Sequence, residues 1–97
     1  MAIVVLAGEL DLYNAEEVRA ALDEAGGSSP RRVVIDMSDV EFIDSTALGV
    51  LLEARSKLGD GKLRLASLQL GTRRTLQVSG LDRQLSVHDT VDDAFAG

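Results

Sequence analysis

The stretch DMSDVEFIDSTALGVLL, residues 36–52, decides how this chain folds. Within this stretch, Asp44-Ser45-Thr46 supplies an acid and two hydroxyls. These three residues separate an apolar run typical of a β-strand from an apolar run with helical spacing. Asp, Ser and Thr are common at the N-termini of helices, where their side chains accept hydrogen bonds from free backbone N–H groups. The stretch therefore predicts a strand that leads directly into a helix, with a phosphorylatable serine on the first turn of that helix.

Strands and helices alternate along the rest of the chain. Apolar runs rich in β-branched residues predict strands at 3–7, 32–37, 62–66 and 85–88. Apolar residues at spacings of three and four predict helices at 14–25, 45–58, 71–78 and 90–95. This alternation indicates an α/β fold with a largely parallel sheet. We expect a single domain, 1–97, that forms a two-layer sandwich with a mostly parallel or mixed four-stranded sheet and about four helices.

Single residues mark the predicted ends of these elements. Gly8 closes the first strand, and Asn14 is a favourable N-cap for the first helix. Glu53 and Lys57 form an i,i+4 pair on the exposed side of the second helix. Thr90 is expected to cap the last helix with its hydroxyl.

The composition excludes several classes of function. Ten Lys and Arg residues against sixteen Asp and Glu residues give a formal net charge of −6, which argues against nonspecific binding to nucleic acid. The absence of Cys excludes disulfides, thiolate metal sites and cysteine nucleophiles. The chain has no basic leader and no apolar run of the ~18 residues needed to span a bilayer. We therefore expect a cytoplasmic protein with no direct membrane binding.

A catalytic or metal site finds little support in the sequence. His88 is the only histidine, so a nucleophilic triad would need Ser45, His88 and an acid such as Asp44, yet no G-x-S-x-G motif surrounds the serine. The GDGK at 59–62 lacks the first glycine of a phosphate loop and has leucine where that motif needs Ser or Thr. Acids are scattered along the chain, which favours solvated loop acids over a carboxylate metal site. We expect no enzymatic activity, no cofactor and no metal.

Three stretches of the chain resemble the STAS domain of bacterial anti-sigma factor antagonists. They are GELDLYNAEEVR at 8–19, VVIDMSDVEFIDSTALGVLLEA at 33–54 and LQVSGLDRQLSVHDTVDDAFA at 76–96, in the order and spacing of the family. Together they cover most of the chain, and the core D-S-[ST]-x-L-G after an apolar strand is a specific motif. The resemblance implies the STAS fold and a regulatory function.

The resemblance also implies how such a function works. In that family the serine after the aspartate is phosphorylated by an anti-sigma factor that is also a kinase, and this serine corresponds to Ser45, with Thr46 as second choice. The unphosphorylated domain is implied to bind this GHKL-type kinase and free the sigma factor, phosphorylation abolishes the binding, and a serine phosphatase restores it. Partner contacts are implied at Asp11, Asp44, Ser45, Thr46 and Leu48.

Two features depart from the family pattern. Ala47 stands where the family usually has glycine, and its methyl group is expected to favour the helix while slightly crowding a close approach. Family members commonly have an extra strand before the GELD stretch, so residues 3–7 are expected near a sheet edge that is prone to pair with another chain. A homodimer and an N-terminally shortened chain are both open interpretations.

Two other functions are compatible with the same resemblance. STAS subunits that act as scaffolds or transport accessories, of the stress-complex or lipid-transporter type, can share the same core. Copurification with a soluble GHKL-type kinase or with a membrane ATPase would distinguish the two classes. A STAS domain that binds a small ligand or nucleotide is disfavoured, because the sequence offers no phosphate cradle or aromatic clamp.

Overall fold

The computed structural model describes residues 2–27, 30–59 and 61–96. Its sheet has four strands, β1 (Ala2–Leu10), β2 (Val33–Ile43), β3 (Leu63–Ala66) and β4 (Ser86–His88), which lie in that order and pair in parallel. Four α-helices and a short 3₁₀ turn accompany them: α1 (Ala15–Gly26), α2 (Ser45–Leu58), α3 (Leu70–Ser79), the turn Leu81–Arg83, and α4 (Val91–Ala96). None of the described helices is long and apolar enough to cross a membrane. The predicted α/β fold is confirmed.

The main core lies between one face of the sheet and the helices α1, α2 and α3. The buried side chains that fill it include Val33 and Ile35 from β2, Leu22 from α1, Leu51 from α2 and Leu76 from α3. On the opposite face, α4 packs Ala94 against Val34 and Ala66. β2 is thus buried on both faces, which explains why its sequence is a continuous apolar run without alternation.

The two longest strands continue past their predicted ends. The prediction that Gly8 closes the first strand is wrong, because β1 continues to Leu10. Gly8 has a φ of 79°, and the pairing of β1 with β2 shifts register at this point, so the glycine makes an irregularity inside the strand. β2 likewise runs to Ile43 beside the end of β1. This extension carries the Asp44-Ser45-Thr46 segment to the end of β1.

The two predicted caps have different outcomes. Thr90 Oγ1 accepts a hydrogen bond from the backbone N–H of Asp93 at 3.0 Å, so its cap on α4 is confirmed. Asn14 occupies the predicted N-cap position of α1, where its carbonyl accepts from the N–H of Val18 at 3.1 Å, but the Asn14 side chain makes no cap bond to the helix. Its Oδ1 instead accepts from the N–H of Asp11 at 2.8 Å, and its Nδ2 donates to the carbonyl of Glu9. Asn14 therefore stabilises the loop before α1.

Ion pairs join α1 to α2 at the surface. Arg19 Nε donates to Glu53 Oε2 at 2.8 Å, and Lys57 Nζ lies 3.5 Å from Asp23 Oδ1. The predicted pair of Glu53 and Lys57 is confirmed, with 3.9 Å between its charged atoms. The hydrogen bond from Arg19 lowers the pKa of Glu53, and the bonds to Glu53 and Glu16 raise the pKa of Arg19. These side chains are exposed or partly exposed, so the ion pairs contribute little to stability.

β1 forms one edge of the sheet, as expected for residues 3–7. Ile3 and Val5 of this strand are exposed, since α4 packs on β2, β3 and β4 and leaves this part of β1 uncovered. Pairing of this edge with another chain stays a prediction.

Candidate functional site

The start of α2 is fixed by a single carboxylate. β2 ends at Ile43, and Asp44 follows with an extended backbone while its N–H donates to the carbonyl of Leu10 at 3.0 Å. Asp44 Oδ1 accepts from the N–H of Ala47 at 3.0 Å, which satisfies one of the backbone donors left free at a helix start. Asp44 is therefore the N-cap of α2, and Ser45 is the first residue of the helix.

The same carboxylate holds the loop that follows β1. Its second oxygen, Oδ2, accepts from the N–H of Leu12 at 3.2 Å, across 32 positions of sequence. Within that loop, Asp11 Oδ1 accepts from the N–H of Tyr13 at 3.0 Å and closes a tight Asx-type turn. The structure thus brings the predicted residues Asp11 and Asp44 together at the junction of the loop and α2.

Ser45 and Thr46 are exposed on the first turn of α2. Among the described residues, neither hydroxyl has a hydrogen-bond partner, because Asp44 performs the capping that either could have supplied. Both lie at the positive end of the helix dipole, where added negative charge is stabilised. The predicted modification site is therefore sterically open and makes no bond that a phosphate would break.

Ala47 and Leu48 face the core. Ala47 has no exposed surface and Leu48 is 5% exposed. The expectation that the Ala47 methyl group crowds an approaching partner is wrong, because that methyl points inward. Leu48 presents only an edge of its side chain, and that edge forms part of a groove beside Ser45.

This groove lies between the start of α2 and α3 and has a volume of about 420 Å³. Its lining residues come from the two helices: Ser45, Leu48, Gly71, Arg74, Thr75, Val78 and Ser79. Two hydrogen bonds attach α3, on one side of the groove, to β2. Gln69 Nε2 donates to the carbonyl of Ser38 at 2.9 Å, and the buried Thr72 Oγ1 donates to that of Val40 at 3.4 Å.

Exposed apolar side chains stand on both sides of Ser45. Leu12 and Tyr13, in the loop held by Asp44, are 66% and 92% exposed, and Val78 on α3 is 83% exposed. Apolar side chains grouped on a surface are typical of a site that binds another protein. The sequence patterns did not single out these three residues, although Leu12 and Tyr13 are two apolar residues inside the polar loop after GELD.

The alternative catalytic grouping does not form. His88 on β4 pairs with Ala66 on β3, which in turn pairs with Asp36 on β2. Ser45 follows Asp36 by nine residues along the chain. Strand residues 36–43 alone extend about 23 Å, so Ser45 and His88 lie far apart. Within the described ranges, no three His, Asp or Glu side chains are grouped closely enough to hold a metal ion.

Known proteins with similar sequences and structures agree with this description. Residues 1–94 match the family model described as "STAS domain". The chain is 33% identical over 98 aligned residues to the anti-sigma-F factor antagonist RsfB of Mycobacterium tuberculosis, across the whole of this chain and 80% of that protein. An anti-sigma factor antagonist from Mycobacterium paratuberculosis, solved by crystallography, has a TM-score of 0.88 and 33% identity, covering 97% of this chain and 81% of that one.

A more distant match concerns the fold alone. The Bacillus cell fate determinant SpoIIAA in its phosphorylated form has a TM-score of 0.67 at 24% identity, covering 97% of this chain and 86% of that one. The resemblance described from the three sequence stretches is thereby confirmed at the levels of sequence and fold.

Proposed function

Because this chain belongs to the STAS domain family, we propose that it acts as an anti-sigma factor antagonist whose partner-binding surface is centred on Ser45. The observation that carries the proposal is the position of this residue. Its hydroxyl is exposed and unbonded among the described residues, at a helix start capped by Asp44 and flanked by the apolar side chains of Leu12, Tyr13 and Val78. Relatives that are 33% identical to this chain in sequence are named as anti-sigma factor antagonists, which supports the same function here.

The proposed partner is an anti-sigma factor that is also a GHKL-type serine kinase. The unphosphorylated domain binds this kinase, so that the sigma factor is released. The kinase then transfers the γ-phosphoryl group of ATP to Ser45 Oγ: the new P–O bond forms, the bond to ADP breaks, and the kinase takes the hydroxyl proton. A serine phosphatase then hydrolyses the phosphoserine, which restores the Ser45 hydroxyl and releases inorganic phosphate. In this scheme the domain supplies no catalytic group of its own and acts in the cytoplasm.

A phosphate at Ser45 would change the surface more than the fold. It adds about −1.5 to −2 charges at neutral pH. The helix start offsets part of that charge, by up to ~2 kcal/mol in favourable geometry, against repulsion from Asp44. At an interface shaped for a neutral hydroxyl, burying the added charge costs several kcal/mol. A loss of ~3 to 4 kcal/mol lowers affinity by a factor of about 10² to 10³, which is enough to release the partner.

The test incubates the chain with a purified GHKL-type anti-sigma factor kinase and ATP. We expect mass spectrometry after incubation with ATP to find phosphate on Ser45, with Thr46 as the second choice, and Ser45→Asp to bind the kinase at least ten-fold more weakly than the unchanged chain. Ser38→Asp is the matched control, because it adds the same charge at an exposed serine of β2. Phosphate on another residue, or equal affinity for Ser45→Asp and the unchanged chain, contradicts the proposal.

A further inference from the structure

Arg74 faces Ser45 across the groove between α2 and α3. Residues 71, 74, 75 and 78 recur at helical spacing and form the face of α3 that lines this groove. The opposite side of α3 buries Thr72 and Leu76 against the core. The hydrogen bonds that attach α3 to β2 therefore also direct the Arg74 side of the helix toward the first turn of α2.

Arg74 differs from the arginine beside it. Arg73 Nη2 donates to Asp89 Oδ1 at 3.2 Å, on the side of α3 away from the groove. Arg74 is exposed and has no ion pair or side-chain hydrogen bond within the described part of the chain. Of these two arginines, Arg74 is the one that lines the groove.

The other polar groups of the groove are already bonded. Thr75 Oγ1 donates to the carbonyl of Gly71 at 3.1 Å, and Ser79 Oγ donates to that of Thr75 at 2.9 Å. Among the described lining residues, the polar side chains that make no hydrogen bond are thus the Ser45 hydroxyl and the Arg74 guanidinium, which lie on opposite walls. None of the described residues that line the groove is acidic, so none competes for the guanidinium.

We propose that Arg74 is the intramolecular counter-ion of Ser45 once this serine carries a phosphate, an inference that rests on the proposed function. A guanidinium presents several N–H donors in a planar fork that matches two phosphate oxygens. The long side chain of Arg74 reaches over the groove to make this pair. The pair offsets the repulsion that Asp44 exerts on the phosphate.

The pairing has a consequence for the partner. When the guanidinium of Arg74 lies over the groove, its aliphatic stem covers the edge of Leu48 and part of Val78. Phosphorylation therefore changes the surface in two ways: it adds charge at Ser45, and it closes the apolar groove beside it. Both changes weaken binding of the partner.

The test installs phosphoserine at position 45 of the full chain by genetic code expansion, so that no kinase is needed. The second pKa of the phosphate is measured by ³¹P NMR titration in this protein, in the same protein with Arg74→Gln, and in one with Arg73→Gln. A neighbouring cation favours the dianion, so the expected pKa is about 0.5 higher with Arg74→Gln, the shift typical of an exposed ion pair. Asp44, which adjoins the phosphoserine, and Asp11, in the loop that Asp44 holds, are present in all three proteins, so the difference reports on Arg74.

Arg73→Gln is the matched control, because it removes the same charge from the adjacent position without touching the groove. The expected pKa with Arg73→Gln equals that of the phosphorylated parent within about 0.1, and Arg74→Lys restores part of the shift, because lysine keeps the charge but not the fork. Equal pKa values with and without Arg74, or an equal effect of the two arginines, overturn the inference.

The outcome is separable from that of the proposed function. If the kinase leaves Ser45 unmodified while the ³¹P shift appears, the proposed function fails and the pairing of Arg74 stands. If the kinase modifies Ser45 and the shift is absent, the switch operates by charge alone, and the inference about Arg74 is wrong.

Discussion

Replacing Asp44 with alanine tests the most connected side chain of the site. Its carboxylate caps α2 through Ala47 N–H at 3.0 Å and holds the loop after β1 through Leu12 N–H at 3.2 Å. Loss of an N-cap costs typically ~1 kcal/mol. Loss of a second, partly exposed hydrogen bond adds about 0.5 to 1 kcal/mol. The expected destabilisation is about 1.5 to 2 kcal/mol, or a decrease in Tm of roughly 10 °C for a domain of this size.

A graded pair of variants separates the two bonds. Asp44→Asn keeps one carbonyl oxygen for the cap but replaces the other acceptor with an NH₂ group, so it should cost about 1 kcal/mol, less than Asp44→Ala. Amide hydrogen exchange shows which of the two hydrogen bonds is lost. In Asp44→Asn, the Leu12 N–H should lose its protection from exchange, while the Ala47 N–H keeps it. Asp39→Ala is the control, because Asp39 is an exposed acid with no side-chain bond among the described residues, and its expected effect is within about 0.5 kcal/mol.

Urea unfolding followed by circular dichroism measures all three variants. A cost below about 0.5 kcal/mol for Asp44→Ala would refute the assignment of Asp44 as a stabilising cap. Equal costs for Asp44→Asn and Asp44→Ala would show instead that the bond to Leu12 dominates and that the cap contributes little.

Three further predictions concern the scaffold. Gly8→Ala should destabilise the fold by about 1 kcal/mol, because Gly8 has a φ of 79°. Gly49 lies on α2 with open space around it, so Gly49→Ala should stabilise the fold by about 0.5 to 1 kcal/mol. The melting curves of the two variants should therefore shift in opposite directions. Leu51→Ala should cost about 3 kcal/mol, because the side chain is fully buried, and a urea midpoint close to that of the parent would contradict this. The hydrogen bond from Arg19 lowers the pKa of Glu53 below its ordinary 4.5. The contribution of the Arg19–Glu53 pair to folding stability is therefore complete above pH 4.5 and is lost as the pH falls through the lowered pKa. Glu53→Gln should flatten this part of the curve of stability against pH, and an unchanged curve would refute the link between the pair and stability.

The order and type of the elements followed from the sequence because their signals are local. A continuous apolar run such as residues 33–37 indicates a buried strand, and apolar spacing of three and four indicates a helix. The predicted start of α2 at Ser45 is confirmed for the same reason, since cap chemistry depends on neighbouring residues. The strand ends were missed at Gly8 and after Met37, because strand length depends on a partner strand and not on the strand's own residues.

The candidate site was predicted only in part. The motif and its family resemblance led to Asp44, Ser45 and Thr46, and the structure adds the role of Asp44 as both cap and loop anchor. Tyr13 and Val78 were missed because an exposed apolar side chain acquires meaning only from its neighbours in space.

The sequence by itself determined the α/β class, the family and the place of the D-S-T motif at the start of a helix, because each depends on patterns within short stretches of chain. Only the tertiary structure decided which distant groups meet. The parallel pairing of β1 with β2 brings Leu10 beside Ile43, and from that register follows the bond between Leu12 and Asp44. The attachment of α3 to β2 sets Arg74 opposite Ser45. Such contacts depend on strand register and helix packing, which involve residues some thirty positions apart, and no local pattern specifies them.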